Sequence, residues 1–325
     1  MQANSSPPEP VGVELQKQNI VLILIDTLIL KKIVKKRERG IVLPYPIFRG
    51  NIYAMPNDRL LSTYDRQTVI LSNEAVAEAH YLLRCECAEI AQHAHPGQFV
   101  HVMISQDTGM LLRRPFTIYT VEGREITMLY QIIGEGTKRL SEMPKDAPLH
   151  VLGPLGNTFD FTVKPEPAIL VGGGAGIASL MLLAVALREN DIQTLGLVGA
   201  QRCARLLSVK DLESIDIEVH IATDDGSIGH HGYVTDILAD LLENTAWQRP
   251  TVYACGPHGM LSAVAKITAD FEVPTQIAME NRMGCAMGVC LGCVCPVRID
   301  TNTIEYQRVC TEGPVFNASD IAWDV

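Results

Sequence analysis

The chain has 325 residues, 47% of them hydrophobic, which is enough to fill the cores of about two or three globular domains. Its 27 basic and 37 acidic side chains give a net charge of −10, which argues against a nucleic-acid partner. The nine cysteines follow no regular disulfide framework, so we expect a reducing, cytoplasmic location.

Residues 1–63 form an N-terminal extension to which the sequence assigns no role. An apolar run from Ile20 to Leu30 precedes a lysine- and arginine-rich stretch from Lys31 to Arg39. The run is too short for a membrane-spanning helix, which needs about 20 apolar residues, and its positive charges follow it, unlike those of a secretion signal. We therefore expect an extra element packed on the body of the protein and no membrane association, with a weak surface anchor as the alternative.

Residues 64–163 carry short β-branched runs separated by turn-like pieces such as Asp107-Thr108-Gly109. Such spacing predicts a small antiparallel β-barrel. The predicted strands are Val69–Leu71, His80–Cys87, Gln98–Ile104, Phe116–Val121, Ile126–Ile132 and Leu149–Leu152.

Residues 164–274 show a different sequence pattern, in which strand-like and helix-like segments alternate. This alternation predicts a doubly wound α/β nucleotide domain. The predicted strands are Ala168–Val171, Thr194–Val198, Ile217–Ala222, Thr251–Ala254 and Gln276–Met279, and the predicted helices are Ile177–Glu189, Val234–Leu242 and Gly259–Asp270. Residues 275–325 are then left for a small C-terminal domain, so the expected fold class is a multidomain α+β protein.

In the barrel, Arg114, Pro115, Phe116 and Thr117 combine the groups that a flavin requires. Arginine clamps a phosphate, an aromatic ring covers the isoalloxazine, and a hydroxyl hydrogen-bonds the flavin nitrogen that accepts hydride. Farther on, Gly136 and Thr137 offer amides and a hydroxyl for a diphosphate, provided that they open a helix through Ser141. The alternative for the arginine stretch is an exposed basic turn.

Two segments of the α/β domain are candidate sites for a nicotinamide nucleotide. A glycine-rich loop, with Gly172, Gly173, Gly174 and Gly176, leads from a strand into a helix, where free backbone amides suit a diphosphate. The strict dinucleotide fingerprint is absent, and a turn needed only for tight packing is the alternative. Cys255, Gly256 and Pro257 follow another strand at the same edge of the sheet, so we predict that the Cys255 thiol faces the nicotinamide.

Four cysteines near the C-terminus have the spacing C-x4-C-x2-C followed by a single cysteine, which plant-type ferredoxins use for a [2Fe-2S] cluster. They are Cys285, Cys290, Cys293 and Cys310. Small neighbouring residues let the backbone curl and direct amides at the sulfurs. Structural zinc is the alternative, but zinc sites usually show two close pairs. Cys295 is a spare thiol.

The order and wording of these motifs resemble the electron-transfer subunits of class 1B dihydroorotate dehydrogenases, in the ferredoxin reductase superfamily. The resemblance covers about Tyr64 to Val325. It is carried by 114–117, 134–137, 152–156, 223–227, 255–257, the four cysteines and the Gly313-Pro314-Val315-Phe316 tail. It departs at Ala175 and Ser179, where the family suggests isoleucine or valine and proline, and residues 1–63 have no counterpart.

The resemblance implies a function. Arg114 to Thr117 with Gly136 and Thr137 would bind FAD, the four cysteines would hold the [2Fe-2S] cluster, and NAD(H) would be the substrate. Thr117 and Cys255 are then the predicted catalytic residues. The implied partner is an FMN-containing dihydroorotate dehydrogenase, in a heterotetramer of two copies of each subunit, serving pyrimidine biosynthesis.

Two alternatives to this function stay open. One is a related NAD(P)H-linked ferredoxin or sulfide reductase or hydrogenase subunit. The other is a zinc-bound module that senses nucleotides. The choice of NAD over NADP rests only on the lack of a basic cluster beyond Arg202 and Arg205.

Overall fold

The computed structural model describes residues 63–104, 110 and 112–325, so the N-terminal extension and the turn at 107–109 lie outside the described residues. The first part of this chain is a seven-stranded antiparallel sheet with the strand order β4-β3-β7-β1-β2-β6-β5. Its elements are β1 (Tyr64–Ala77), β2 (His80–Glu86), α1 (Ala88–His93), β3 (Phe99–Met103), β4 (Arg114–Thr117), β5 (Thr120–Glu122), β6 (Glu125–Gln131), α2 (Glu135–Ser141) and β7 (Pro148–Leu155).

This sheet curls on itself, as the predicted barrel requires. Phe116 of β4 and Tyr130 of β6 are separated by four strands in the sheet order, yet their ring centroids lie 5.6 Å apart. The predicted single strand Phe116–Val121 is wrong, because the chain changes partners within it. The Ile118 amide bonds the Gln98 carbonyl and the Tyr119 amide bonds the Thr127 carbonyl, so β4 pairs with β3 and β5 pairs with β6.

The second part begins with a parallel sheet whose helices cover both faces. Its elements are β8 (Ala168–Gly173), α3 (Ala178–Glu189), β9 (Thr194–Ala200), α4 (Val209–Ser214), β10 (Glu218–Thr223), β11 (His230–His231), α5 (Val234–Asn244), β12 (Thr251–Cys255), α6 (His258–Asp270) and β13 (Thr275–Ala278). Apolar residues of α3 and α4 pack on one face, and those of α5 and α6 on the other. The doubly wound fold is therefore confirmed.

The C-terminal part adds β14 (Val294–Arg298), β15 (Ile304–Arg308) and β16 (Val315–Asn317). Strands β14 and β15 form a hairpin, whereas β16 pairs antiparallel with β13 and completes the order β11-β10-β9-β8-β12-β13-β16. The segment 275–325 thus contributes two strands to the nucleotide-domain sheet, and the predicted domain boundaries stay a prediction.

The strand order of this sheet reverses between β8 and β12, since β9 and β10 lie on one side of β8 and β12 lies on the other. Open α/β sheets bind their ligands at such a reversal, beyond the carboxyl ends of the strands. Among the described residues, no helix is long and apolar enough to span a bilayer.

Candidate electron-transfer site

Two cavities adjoin between the barrel and the parallel sheet. The first has a volume of about 710 Å³ and is lined by β4, β6, the start of α3 and the segment after β13. The second, of about 590 Å³, follows the carboxyl edge of the sheet. Gln131, Ala175 and Glu280 line both cavities, so the two spaces form one cleft.

Arg114 lies at the first cavity against the first turn of α2. A Cβ added at Gly136 would come within 3.1 Å of Arg114 Nε, so the guanidinium packs tightly against this glycine. Arg113 is instead paired with Asp65, whose carboxylate oxygens lie 3.1 Å from Arg113 Nη2. Of the two neighbouring arginines, Arg114 is therefore the one with charge available to a phosphate.

The other predicted flavin residues also line the first cavity, but they differ in what their side chains do. Phe116 is largely buried in the barrel core, and Pro115 precedes it on β4. The Thr137 hydroxyl is engaged in its own turn, because it accepts from the Ile133 amide at 2.9 Å and donates to the Gly134 carbonyl at 3.1 Å. Helix α2 begins at Glu135 and ends at Ser141, as the sequence predicts.

Thr117 ends β4 with its hydroxyl pointing across the cleft. Its Oγ1 lies 2.8 Å from Ser179 Oγ at the start of α3. The Ser179 side chain also interacts with the Cys255 thiol. One serine therefore links a barrel strand to the end of β12.

The glycine-rich loop is formed by the end of β8 and a short 3-10 turn from Gly174 to Ile177. Gly174 has a φ of +54°, and a Cβ at Gly176 would lie 2.5 Å from the Cys255 carbonyl oxygen. These glycines let the loop pass directly beside Cys255-Gly256-Pro257. The cavity-lining members of the two predicted nucleotide segments are Gly173, Gly174, Gly176, Gly256 and Pro257, whereas Gly172 is a buried strand residue.

The Cys255 side chain is fully buried and is not among the residues that line either cavity. Its Sγ lies 3.9 Å from Glu280 Oε1. Burial raises the pKa of the Cys255 thiol well above its usual range and also raises the pKa of Glu280. Glu280 is the acidic residue that lines both cavities, although sequence reasoning did not single it out. Its position just after β13, at the carboxyl edge of the parallel strands, is the signal that would have found it.

The four predicted ligand cysteines lie on one loop and the end of one hairpin, with backbone amides directed at three of the sulfurs. Cys285 Sγ accepts from the amides of residues 287, 289 and 290 at 3.4 Å, Cys290 Sγ accepts from residue 292 at 3.4 Å, and Cys310 Sγ accepts from residue 288 at 3.2 Å. The Cys293 thiol interacts with that of Cys310. Amides directed at sulfur stabilise thiolates that bind iron, so the donor set fits a [2Fe-2S] cluster.

These sulfurs differ in exposure. Cys290 is exposed, and the Gly292 amide lowers the pKa of its thiol to about 7. Cys295 faces the core of the hairpin, where burial raises the pKa of its thiol to about 11.

A salt bridge between Arg308 and Glu312 lies beside the loop that carries the cluster cysteines. Arg308 donates to the Gly288 carbonyl at 3.0 Å, and its Nε donates to Glu312 Oε2 at 2.8 Å. Its positive charge interacts with Cys310 and Cys293. Sequence reasoning missed this pair, because nothing in the spacing of Arg308 and Glu312 distinguishes it from an ordinary surface pair.

Comparison with known proteins agrees with this arrangement. The sequence model of the iron-sulfur cluster binding domain of dihydroorotate dehydrogenase B matches residues 280–322. The protein named dihydroorotate dehydrogenase B (NAD(+)), electron transfer subunit, from Caldanaerobacter subterraneus subsp. tengcongensis is 37% identical over 252 residues, which cover 78% of this chain and 96% of the relative. The protein of the same name from Bacillus caldolyticus is 35% identical over 261 residues, which cover 79% of this chain and 98% of the relative.

Among solved structures, the NADH-dependent reduced ferredoxin-NADP oxidoreductase is similar, with a TM-score of 0.69 and 27% identity over 79% of this chain and 90% of that one. The ferredoxin reductase of carbazole 1,9a-dioxygenase has a TM-score of 0.55 and 18% identity, covering 65% of this chain and 67% of that one, and shows a shared fold.

Proposed function

This chain belongs to the family of electron transfer subunits of dihydroorotate dehydrogenase B, and we propose that it moves electrons between NAD(H), FAD and a [2Fe-2S] cluster for a separate catalytic subunit. The observation that carries the proposal is the segment after β13. Glu280 lines both cavities, and the cluster loop begins only five residues later at Cys285. One short stretch thus connects the nucleotide cavity, the flavin cavity and the cysteines.

We assign the first cavity to FAD. When bound, FAD exchanges electrons with NAD(H) in pairs and with the cluster singly. Arg114 would bind the diphosphate, together with the backbone of Gly136 and Thr137. Pro115 and Phe116 would shape the wall, and the Thr117 hydroxyl would hydrogen-bond the flavin edge that receives hydride. The cavity lining, and the close packing of the Arg114 guanidinium against Gly136, support these roles.

We assign the second cavity to the nicotinamide nucleotide. Backbone amides of the loop from Gly172 to Gly176 and of Gly256 would receive its phosphates, with Pro257 beside them. The nicotinamide would then reach the shared part of the cleft near Glu280. The Cys255 thiol would act there through Ser179 and Glu280, since it lies behind both.

We assign Cys285, Cys290, Cys293 and Cys310 as the cluster ligands and the loop around them as the exit for electrons. Met287, Val289 and Leu291 are 56%, 78% and 51% exposed, so apolar side chains surround the exposed Cys290. We propose that a catalytic subunit covers this loop. That partner would carry FMN, in a heterotetramer of two copies of each subunit.

Net flow would run from dihydroorotate to NAD⁺ in pyrimidine biosynthesis, with the protein in the cytoplasm, where its cysteines stay reduced. The domain boundaries that we propose are 64–163 for FAD, 164–274 for NAD(H) and 275–325 for the cluster. We assign no role to the extension 1–63.

A second candidate is a reductase subunit with a different partner, which the 27% identity to the NADH-dependent reduced ferredoxin-NADP oxidoreductase favours. The zinc-bound sensor loses its support, because the matching family model is that of an iron-sulfur binding domain.

The protein that copurifies with this chain tests the proposal. Dihydroorotate should reduce NAD⁺ when the chain and an FMN-containing partner are both present, and neither should do so alone. Copurification with an iron-sulfur-rich flavoprotein, and no dihydroorotate-dependent reduction of NAD⁺, would instead support the second candidate.

A further inference from the structure

The hairpin between β1 and β2 reaches from the barrel to the nucleotide domain. Its tip residue Glu78 donates its backbone amide to the Ala204 carbonyl at 3.2 Å. Both oxygens of the Glu78 carboxylate lie 2.5 Å from Arg202 Nη2, and Oε1 lies 3.4 Å from Arg205 Nη2. A single barrel carboxylate thus pairs with two arginines of the loop after β9.

This loop stands where nucleotide-binding folds read the ribose 2′ position. An acidic residue at the end of the second strand suits the hydroxyl of NAD, whereas an arginine suits the phosphate of NADP. Here β9 is the second strand of the domain and ends at Ala200. Gln201 and Arg205 line the nucleotide cavity, and Arg202 stands between them in the loop. By themselves, the two arginines of this loop would favour the 2′-phosphate of NADP over the 2′-hydroxyl of NAD.

Neighbouring acidic and amide groups oppose binding of a 2′-phosphate at this loop. The guanidinium of Arg205 is also held by Gln201, whose Oε1 accepts from Nη1 at 2.6 Å. Asp224, at the end of β10, adds a carboxylate to the cavity lining. A 2′-phosphate entering here would have to displace the Glu78 carboxylate, which already pairs with both arginines.

We propose that Glu78 is the specificity-determining residue for the nucleotide, because it withholds Arg202 and Arg205 from a 2′-phosphate and so selects NAD(H) over NADP(H). The inference deepens the proposed function and rests on its assignment of the second cavity. It places the selecting carboxylate on the flavin domain instead of on the nucleotide domain.

The test compares Glu78→Gln with the unchanged protein, each as the full chain with its cofactors. Calorimetry would measure the affinities of 2′,5′-ADP and 5′-AMP, which differ only by the phosphate in question. Glu78→Gln should bind 2′,5′-ADP roughly tenfold more tightly, since charged hydrogen bonds become available, with 5′-AMP changed by less than about twofold. The gain should shrink at high ionic strength.

Glu86→Gln is the matched control. Glu86 lies on β2, is also exposed and is also paired with an arginine, because its Oε1 accepts from Arg124 Nε at 2.9 Å. It does not line the nucleotide cavity, so both affinities should stay at their original values. The double variant Glu78→Gln/Arg202→Gln should lose most of the gain in 2′,5′-ADP affinity.

The outcomes separate the inference from the function on which it rests. If 5′-AMP binds and NADH reduces the flavin, but Glu78→Gln leaves discrimination against 2′,5′-ADP unchanged, the role of Glu78 is wrong and the proposed function stands. If the original protein binds no 5′-AMP and is not reduced by NADH, the nucleotide site itself is wrong. Glu78→Ala repeats the measurement should glutamine at the hairpin tip prevent folding.

Discussion

The hydroxyl oxygens of Thr117 and Ser179 lie 2.8 Å apart and join the last residue of strand β4 to the first turn of helix α3. Thr117 belongs to the barrel and Ser179 to the nucleotide domain. The resemblance suggested proline at position 179, which has no hydroxyl. This chain therefore has a polar link between two domains at the point where hydride would pass.

Replacing Ser179 by alanine removes this link. We expect the free energy of unfolding to fall by about 1 kcal/mol, and flavin reduction by NADH to slow by about fivefold, because the Thr117 hydroxyl is no longer held in place. Ser179→Pro should behave alike, since the first turn of a helix accommodates proline. Urea unfolding and stopped-flow absorbance measure the two effects.

Ser141→Ala is the control for this change, because the one partner of that hydroxyl among the described residues is the Lys138 carbonyl on the exposed end of α2. It should leave the rate of flavin reduction unaltered. An unaltered rate in Ser179→Ala as well would show that the link does not position Thr117.

Cys290 and Cys295 make a matched pair for the cluster assignment. Cys290→Ser should abolish the cluster signal while NADH still reduces a two-electron dye, because flavin and nucleotide sites lie apart from this sulfur. Cys295→Ala should keep the cluster, since that thiol is buried in the hairpin core. Iron and sulfide analysis with a dye assay checks both. Loss of dye reduction in a folded, flavin-loaded Cys290→Ser protein would contradict the order of carriers.

Arg308 places a positive charge near Cys310 and Cys293. Arg308→Gln should make the cluster potential more negative by roughly 30–60 mV, because a nearby cation favours the reduced, more negative cluster. Redox titration measures the shift. Arg298→Gln is the control on the same hairpin, where the arginine pairs with Asp324 at 2.8 Å. Equal potentials in all three proteins would rule out this electrostatic role.

His101 on β3 is 1% exposed, and within the described part of the chain neither ring nitrogen has a hydrogen-bond partner. Burial lowers the pKa of His101 from 6.5 to about 4. The unfolded chain therefore binds a proton that the folded chain does not, and stability falls as pH drops from 6.5 towards 4. His101→Leu should remove about 2 kcal/mol of this loss at pH 5 while changing little at pH 7. The midpoints of urea unfolding at the two pH values measure this effect. The same pH dependence in both proteins would refute the role of His101.

The sequence predicted most of the architecture because its periodic signals are strong. Alternating strands in the barrel and the change to longer helical segments near residue 165 correspond to real elements. The error at Phe116–Val121 arose because one apolar run serves two strands, and only the partners of Ile118 and Tyr119 reveal the break. Helix α4, with six residues, and the two-residue strand β11 were too short to leave a pattern.

The candidate site was predictable where a motif is local. The cysteine spacing and the arginine stretch each lie within a short segment. Glu78, Ser179 and Glu280 acquire their meaning from partners far away in the chain, such as Arg202 for Glu78, 124 residues later. Spacing rules cannot find contacts of that kind, because the fold alone brings the residues together.

The most direct test of the account is the absorption and electron spin resonance of the chain purified without oxygen, before and after NADH is added. The account predicts a yellow-brown protein with bound flavin, two irons and two sulfides per chain, whose flavin absorbance bleaches with NADH as a reduced-cluster resonance appears. A colourless protein that contains zinc, lacks sulfide and gives no resonance with NADH would contradict it.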